Sequence, residues 1–231
     1  MSLLNDTISR ISPLNAEVKS KAHTRLEQLT MPYWALGRLL DLAEELAGMT
    51  GSMNPPIARK TIVTMAGDHG VCAEGVSKYP SEVTPQMVAN IAFGGAGVNA
   101  ISKQAGADVV IVDMGVASDM SELVSSGKVI SKRIAKGTEN MAAGPAMTRE
   151  QAVSSVKAGI EIALGLADKT DVFGTGEMGI GNTTPSSAIV SIFTGVPVAE
   201  VTGKGTGIDD DQFKHKVEVI ERAIRINKIG R

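Results

Sequence analysis

From Lys60 onward the chain alternates short apolar runs with longer amphipathic ones, and few folds accommodate that order. "TIVTMAG", "ADVVIVDMGV", "KVISKRI", "TDVFGTG" and "VPVAEVTG" read as short β-branched strands, "KVISKRI" being the weakest. Between them "SEVTPQMVANIAFGG", "AGVNAISKQAG", "MTREQAVSSVKAGIEIALGLAD" and "TPSSAIVSIFTG" carry helical spacing, with Thr148 placed to cap the third. "DDDQFKHKVEVIERAIRIN" is a last helix with acids at its N-terminus. No Asn-Gly hairpin signal joins the strands. The order predicts an α/β fold, a mostly parallel sheet doubly wound by helices on both faces.

The first fifty residues differ. Leu14, Val18, Ala22, Leu26 and Leu29 form one helical stripe, and Leu36, Leu39, Leu40, Ala43, Leu46 and Ala47 form a second that ends at Gly48. Beyond that glycine, Pro55 and Pro56 prevent any further helix and mark a loop. The expected division is a small N-terminal helical part over 1–55 and a parallel α/β nucleotide-binding domain over 56–231. A hydrophobic fraction of 43% with only 3% aromatic residues and 25 glycines suits a closely packed α/β core better than a β-sandwich.

Charge excludes some functions. With 23 Lys and Arg against 25 Asp and Glu, no basic footprint argues for nucleic acid or an anionic membrane. Cys72 is the single cysteine, so no intrachain disulfide forms and a reducing compartment is expected. No apolar run is long enough to span a bilayer, and "MSLLNDTISR" does not read as a signal peptide. The sequence reads as a soluble cytoplasmic protein.

Three glycine-rich stretches come directly after predicted strands: "AGDHGVCAEGVSKYP", "GTGEMGIGNTT" and "TGKGTGIDDD". Ligands of open parallel sheets bind beyond the carboxyl ends of the strands, so all three should meet on one edge. In the second, Gly174, Gly176, Gly179 and Gly181 precede a helix starting near Thr183, an arrangement that lets backbone N–H groups converge on an anion. No Gly-Lys-Ser/Thr closes it and the spacing departs from the dinucleotide fingerprint, so a monophosphate fits better than a pyrophosphate or triphosphate. The plain alternative is a tight strand-to-helix turn. Glu177 could position a sugar hydroxyl or take a proton, or be a solvated loop acid. Lys204 and Lys216 could each neutralise a phosphate. Asp68 and His69 are too few ligands for a catalytic zinc, and they are expected to organise their loop or orient substrate rather than hold metal. Cys72 reads as a small buried residue, and Asp113 could bind ribose or cap the next element.

With these loops laid out, the chain resembles the nicotinate-nucleotide–dimethylbenzimidazole phosphoribosyltransferase family. The matching stretches are "MAGDHGVCAEGVSKYPSEVTPQMVANIAFGGAGVNAISKQAGADVVIVDMGV", "GTENMAAGPAMT", "GTGEMGIGNTTPSSAIVSIFTG" and "VTGKGTGIDDDQFKHKVEVIERAI", in order from Met65 to Ile224. The resemblance implies transfer of phosphoribose from nicotinate mononucleotide to 5,6-dimethylbenzimidazole, giving α-ribazole phosphate and nicotinate, in cobalamin lower-ligand synthesis. It implies no cofactor, no metal and a homodimer. Carried over by position, it places the nucleotide phosphate near Gly179, Gly203, Gly205 and Lys216, preferring Lys216 over Lys204. It puts the acidic position of the glycine loop at Glu177, beside Gly176, with Met178 lining the base pocket and Tyr79 and Met87 contacting the benzimidazole.

Two departures from the family pattern stand out. In "TMPYWALGRL", Trp34 and Ala35 stand where the family has a glycine and a serine. The family also continues past the point corresponding to "INKIGR" with a segment that carries the glutamate usually assigned as principal base. From that the expectation is a shortened chain, an incomplete small domain with exposed apolar helix faces, and Glu177 as the remaining candidate base. The alternative is a shortened homologue that binds nucleotide or forms an oligomer without catalysis.

Overall fold

The computed structural model describes residues 3–228, so residues 1–2 and the end of "INKIGR" (229–231) lie outside the described residues. The chain divides into two compact units, Met1–Arg59 and Lys60–Arg231. The division falls four residues after the one read from the prolines.

The first unit holds α1 (Leu3–Ser9), α2 (Ala16–Glu27) and α3 (Arg38–Thr50). Asn15 caps α2 by accepting from Val18 N, and its own N–H reaches Gly48 O at 2.9 Å. A side chain at Gly48 would lie 3.3 Å from Lys19 Cβ, so this glycine brings the two helices together and does not end α3. The helix runs on to Thr50 and stops at Gly51, in the left-handed region at φ 63°. Of the predicted second stripe Leu40 and Ala47 are buried, whereas Leu36 and Leu39 are exposed. Trp34 has φ 50°, and its indole N–H donates to Asp41 at 2.8 Å.

The second unit is the α/β domain. Its strands are β1 (Lys60–Gly67), β2 (Ala107–Gly115), β3 (Ile130–Ser131) and β4 (Val172–Met178), all parallel in the order β3-β2-β1-β4. Helices α4 (Val83–Ala92) and α5 (Gly97–Ala105) join β1 to β2; α6 (Ser121–Ser125) leads to β3, and α7 (Arg149–Leu166) leads to β4. The chain then continues through α8 (Thr183–Thr194), α9 (Val198–Val201) and α10 (Asp210–Ile226). Alternation along the strands sorts the two faces. Ala66, Val109 and Ile111 pack with Val88 and Ile91 of α4, while Val63, Val110 and Val112 pack with Ile162 of α7. The sheet is therefore covered on both sides, as the strand-helix alternation predicts. A further core beside it joins Val71, Ala188 of α8, Val198 of α9 and Val219, Ile220 and Ala223 of α10.

Three local expectations need correction. "VPVAEVTG" is not a strand: Pro197 starts the short helix α9, which buries Val198 against α8 and α10, and packing there overrides β propensity. "KVISKRI" pairs as a strand only at Ile130 and Ser131. β4 runs further than "DVF", through Gly174 and Gly176 to Met178. A side chain at Gly174 would meet Ile62 Cδ1 at 2.4 Å and one at Gly176 would meet Thr64 Oγ1 at 2.9 Å. These two glycines therefore answer to their neighbour strand and lie in the ladder, outside the loop.

Candidate functional site

The strand order sets the location. From β1 the sheet grows one way to β2 and β3, then the chain returns to lay β4 on the other side of β1. Between the carboxyl ends of β1 and β4 lies the topological switch point, where open α/β sheets leave a crevice. Asp68 and His69 come directly after β1, and Glu177 and Met178 end β4 in register with Met65 and Ala66. Two of the three glycine-rich stretches thus meet there. The third, Gly203 to Gly207, leaves helix α9 instead of a strand and reaches the same edge from the side.

Asp68 is buried and works on the backbone. Its Oδ2 accepts from Ala117 N at 2.7 Å, its N–H donates to Gly115 O and its carbonyl accepts from Thr138 N, while Oδ1 is buried without a partner. The side chain ties the loop after β1 to the loop after β2. His69 Nε2 lies 3.6 Å from Glu177 Oε1, and the Glu177 side chain is 40% exposed. Gly179 must be glycine here. A Cβ would sit 2.2 Å from Gly67 O, 2.6 Å from Glu177 Oε1 and 2.8 Å from His69 Nε2. Gly181, at φ 87°, would press on Cys72 Sγ at 3.0 Å. The Cys72 thiol points at Ile180 O, and burial pushes its pKa up.

Lys216 is the least expected feature. A lysine on an amphipathic helix normally faces water, yet this one is 1% exposed. Its ammonium donates to Thr183 Oγ1 at 2.6 Å and to Gly203 O at 3.1 Å. No carboxylate lies within ion-pairing distance of it among the described residues, and burial lowers its pKa. A side chain at Gly205, φ 55°, would lie 3.0 Å from Thr183 Oγ1 and 3.3 Å from the ammonium. The ammonium therefore stands at the first turn of α8, where Asn182 offers no side-chain cap to the helix N–H groups. A buried cation without a carboxylate partner beside a helix N-terminus has the physical character to attract an anion. Lys204, by contrast, pairs with Asp210 at 2.6 Å in solvent.

Two cavities flank Glu177. One, about 230 Å³, is lined by Met178, Gly179, Thr183, Gly205, Thr206 and Lys216. The other, about 200 Å³ and mostly apolar, lies over the β1 and β2 ends against Met65, Met114, Ile134, Met147 and His69. Glu177 and Asn182 line both. Tyr79 and Met87 line neither: Tyr79 is exposed, and Met87 packs into the α4 core beside Met178. The loop before Tyr79 is nevertheless held to the third stretch, since Lys78 N donates to Thr206 Oγ1 at 3.0 Å. Asp113 is settled by its contacts, because Oδ1 accepts from Gly115 N and Val116 N and so caps its own turn. Thr183 and Asn182 were not picked out from the sequence. The signal available was their place at a helix start directly after Gly181.

A family model described as phosphoribosyltransferase matches residues 11–231. The nicotinate-nucleotide–dimethylbenzimidazole phosphoribosyltransferase of Syntrophotalea carbinolica is 62% identical over 227 residues, which are 98% of this chain and 64% of that protein. The protein of the same name from Desulfotalea psychrophila is 52% identical over 228 residues, 99% of this chain and 64% of its own length. The crystal structure of CobT from Thermus thermophilus superposes with a TM-score of 0.84 at 39% identity, covering 91% of this chain and 63% of that one. The chain thus spans slightly less than two-thirds of the length of the proteins it matches. It belongs to the phosphoribosyltransferase family that these proteins represent, the family to which its glycine-rich loops pointed.

Proposed function

We propose that this chain transfers phosphoribose from nicotinate mononucleotide to 5,6-dimethylbenzimidazole, releasing nicotinate and forming α-ribazole phosphate. The observation that carries the reading is the buried Lys216 ammonium at the start of α8, lacking a carboxylate partner and one cavity wall away from Glu177. A monophosphate supplies the missing anion. Gly179, Gly203 and Gly205 let the backbone approach it, and Gly176 keeps β4 close to β1 behind it.

With the phosphate held, the ribose lies towards Glu177. The bond from C1′ to the pyridinium nitrogen breaks, and that nitrogen leaves neutral, so the departing ring needs no acid. One benzimidazole nitrogen forms the new bond to C1′, and the proton on the other nitrogen passes to the Glu177 carboxylate. The same carboxylate stabilises positive charge developing on the ribose. Met178, which lines the Lys216 cavity with Met87 packed behind it, faces the benzimidazole in this reading; Asp68 and His69 fix the wall beside Glu177. A homodimer in the cytoplasm belongs to the same reading, and sedimentation of the purified chain tests the dimer.

The test is turnover. The chain is mixed with nicotinate mononucleotide and dimethylbenzimidazole, and α-ribazole phosphate is followed by chromatography. The reading expects product, and a Glu177→Gln rate lower by roughly 10²–10⁴-fold at similar KM. Nucleotide binding without product would replace it with the second reading, a nucleotide-binding homologue without catalysis.

A further inference from the structure

Lys216 reaches the α8 N-terminus only if α10 holds one rotation and one axial position. The apolar face of α10 (Val219, Ile220 and Ala223) supplies burial, and burial is not directional. Direction comes from polar contacts, and besides those of Lys216 itself two on α10 converge on one residue. His215 and Arg222 are seven positions apart on α10, which places them on one stripe. His215 Nε2 donates to the Glu74 carbonyl at 2.6 Å, and Arg222 donates to Glu74 Oε2. Asn140 Nδ2 donates to the other carboxylate oxygen at 2.6 Å. Glu74 ends the turn Gly70–Glu74, which starts directly after His69. A single residue therefore joins the segment carrying His69, the segment carrying Asn140 and Thr138, and the helix carrying Lys216.

We propose that Glu74 is a positioning residue, clamping α10 so that Lys216 meets the nucleotide phosphate; this rests on the reading of Lys216 given above. The Arg222–Glu74 side chains are 41% and 24% exposed, and an ion pair so open to solvent adds little to global stability. What it adds is register. Without the Glu74 carboxylate, Arg222 and Asn140 lose their shared partner, and of these three contacts only the His215 hydrogen bond to the backbone still ties α10 to the turn after His69.

A double-mutant cycle separates positioning from general weakening, with nicotinate mononucleotide affinity read by calorimetry. Glu74→Ala is expected to weaken binding about threefold to thirtyfold in the wild-type background and by less than about twofold in Lys216→Ala, where no ammonium remains to be positioned. Lys214→Ala, altering the solvent-exposed pair with Asp211 on α10, leaves binding unchanged. Arg222→Gln serves in the same cycle if Glu74→Ala does not fold, because it spares the Asn140 and His215 contacts. Equal losses in both backgrounds, or no loss in the wild type, overturn the clamp while the phosphate reading stands. A wild type that does not bind the nucleotide, or a Lys216→Ala variant that binds like wild type, removes the phosphate reading and the clamp with it.

Discussion

Replacing Lys216 by methionine separates a lysine kept for a ligand from one kept for the fold. Burying an ammonium costs several kcal/mol even after the protein relaxes. The two hydrogen bonds to Thr183 Oγ1 and Gly203 O return about 1.5–3 kcal/mol each, so the free chain sits near balance. Methionine has a similar length and no charge to desolvate, but it leaves that hydroxyl and that carbonyl without the lysine, at about 1 kcal/mol apiece. These terms cancel to within about 2 kcal/mol, and the urea midpoint of Lys216→Met should stay near wild type. Nucleotide affinity should not survive so well. Losing one charged hydrogen bond to a phosphate costs about 1.5–3 kcal/mol, or roughly 10- to 150-fold in Kd. The pH dependence adds a signed check. Burial lowers the folded pKa below the ordinary 10.5, so between the two values the folded chain binds fewer protons than the unfolded one. Wild-type stability gains with rising pH in that window, and Lys216→Met lacks the gain. An unfolding free energy lower by several kcal/mol with unchanged nucleotide affinity would refute the argument and make Lys216 a structural strut.

Other outcomes rest on the same contacts. Gly179→Ala forces a methyl to within 2.2 Å of Gly67 O and should destabilise the chain by about 1–3 kcal/mol in urea unfolding, with Glu177 displaced as well. Gly159→Ala, inside α7 with nothing in the way, should stabilise it by about 0.5–1 kcal/mol. The Glu44 carboxylate beside His23 raises the imidazole pKa above 6.5, so its contribution to the α2–α3 pair is complete below that value and disappears as pH rises through the higher folded pKa. Proton NMR should find the His23 titration above that of a free imidazole, and in Glu44→Gln the shift should largely vanish.

The fold was readable where periodicity is strong. β1 and β2 announce themselves as runs buried on both sides, and α7 carries its Thr148–Gln151 capping box in the sequence. Reading failed where packing decides. Val196, Val198 and Val201 look like a strand until the core between α8 and α10 is known to claim Val198. The glycines of "GTGEMGIGNTT" look alike, yet Gly174 and Gly176 accommodate Ile62 and Thr64 whereas Gly179 and Gly181 shape the site wall. Nothing local to α10 marks Lys216 as buried, and the residues alone gave it and Lys204 the same standing. The resemblance preferred Lys216, and the physical reason is its burial against Thr183, thirty-three positions away, while Lys204 pairs with Asp210 in solvent. Glu74 likewise reads as a loop acid until His215 and Arg222 are placed beside it.

The most direct test of the account is a crystal structure of this chain with nicotinate mononucleotide. The account predicts the phosphate at the first turn of α8, within hydrogen-bonding distance of Lys216 Nζ, and the ribose facing Glu177. A phosphate held by Lys204, or a nucleotide bound away from the β1–β4 edge, would contradict it.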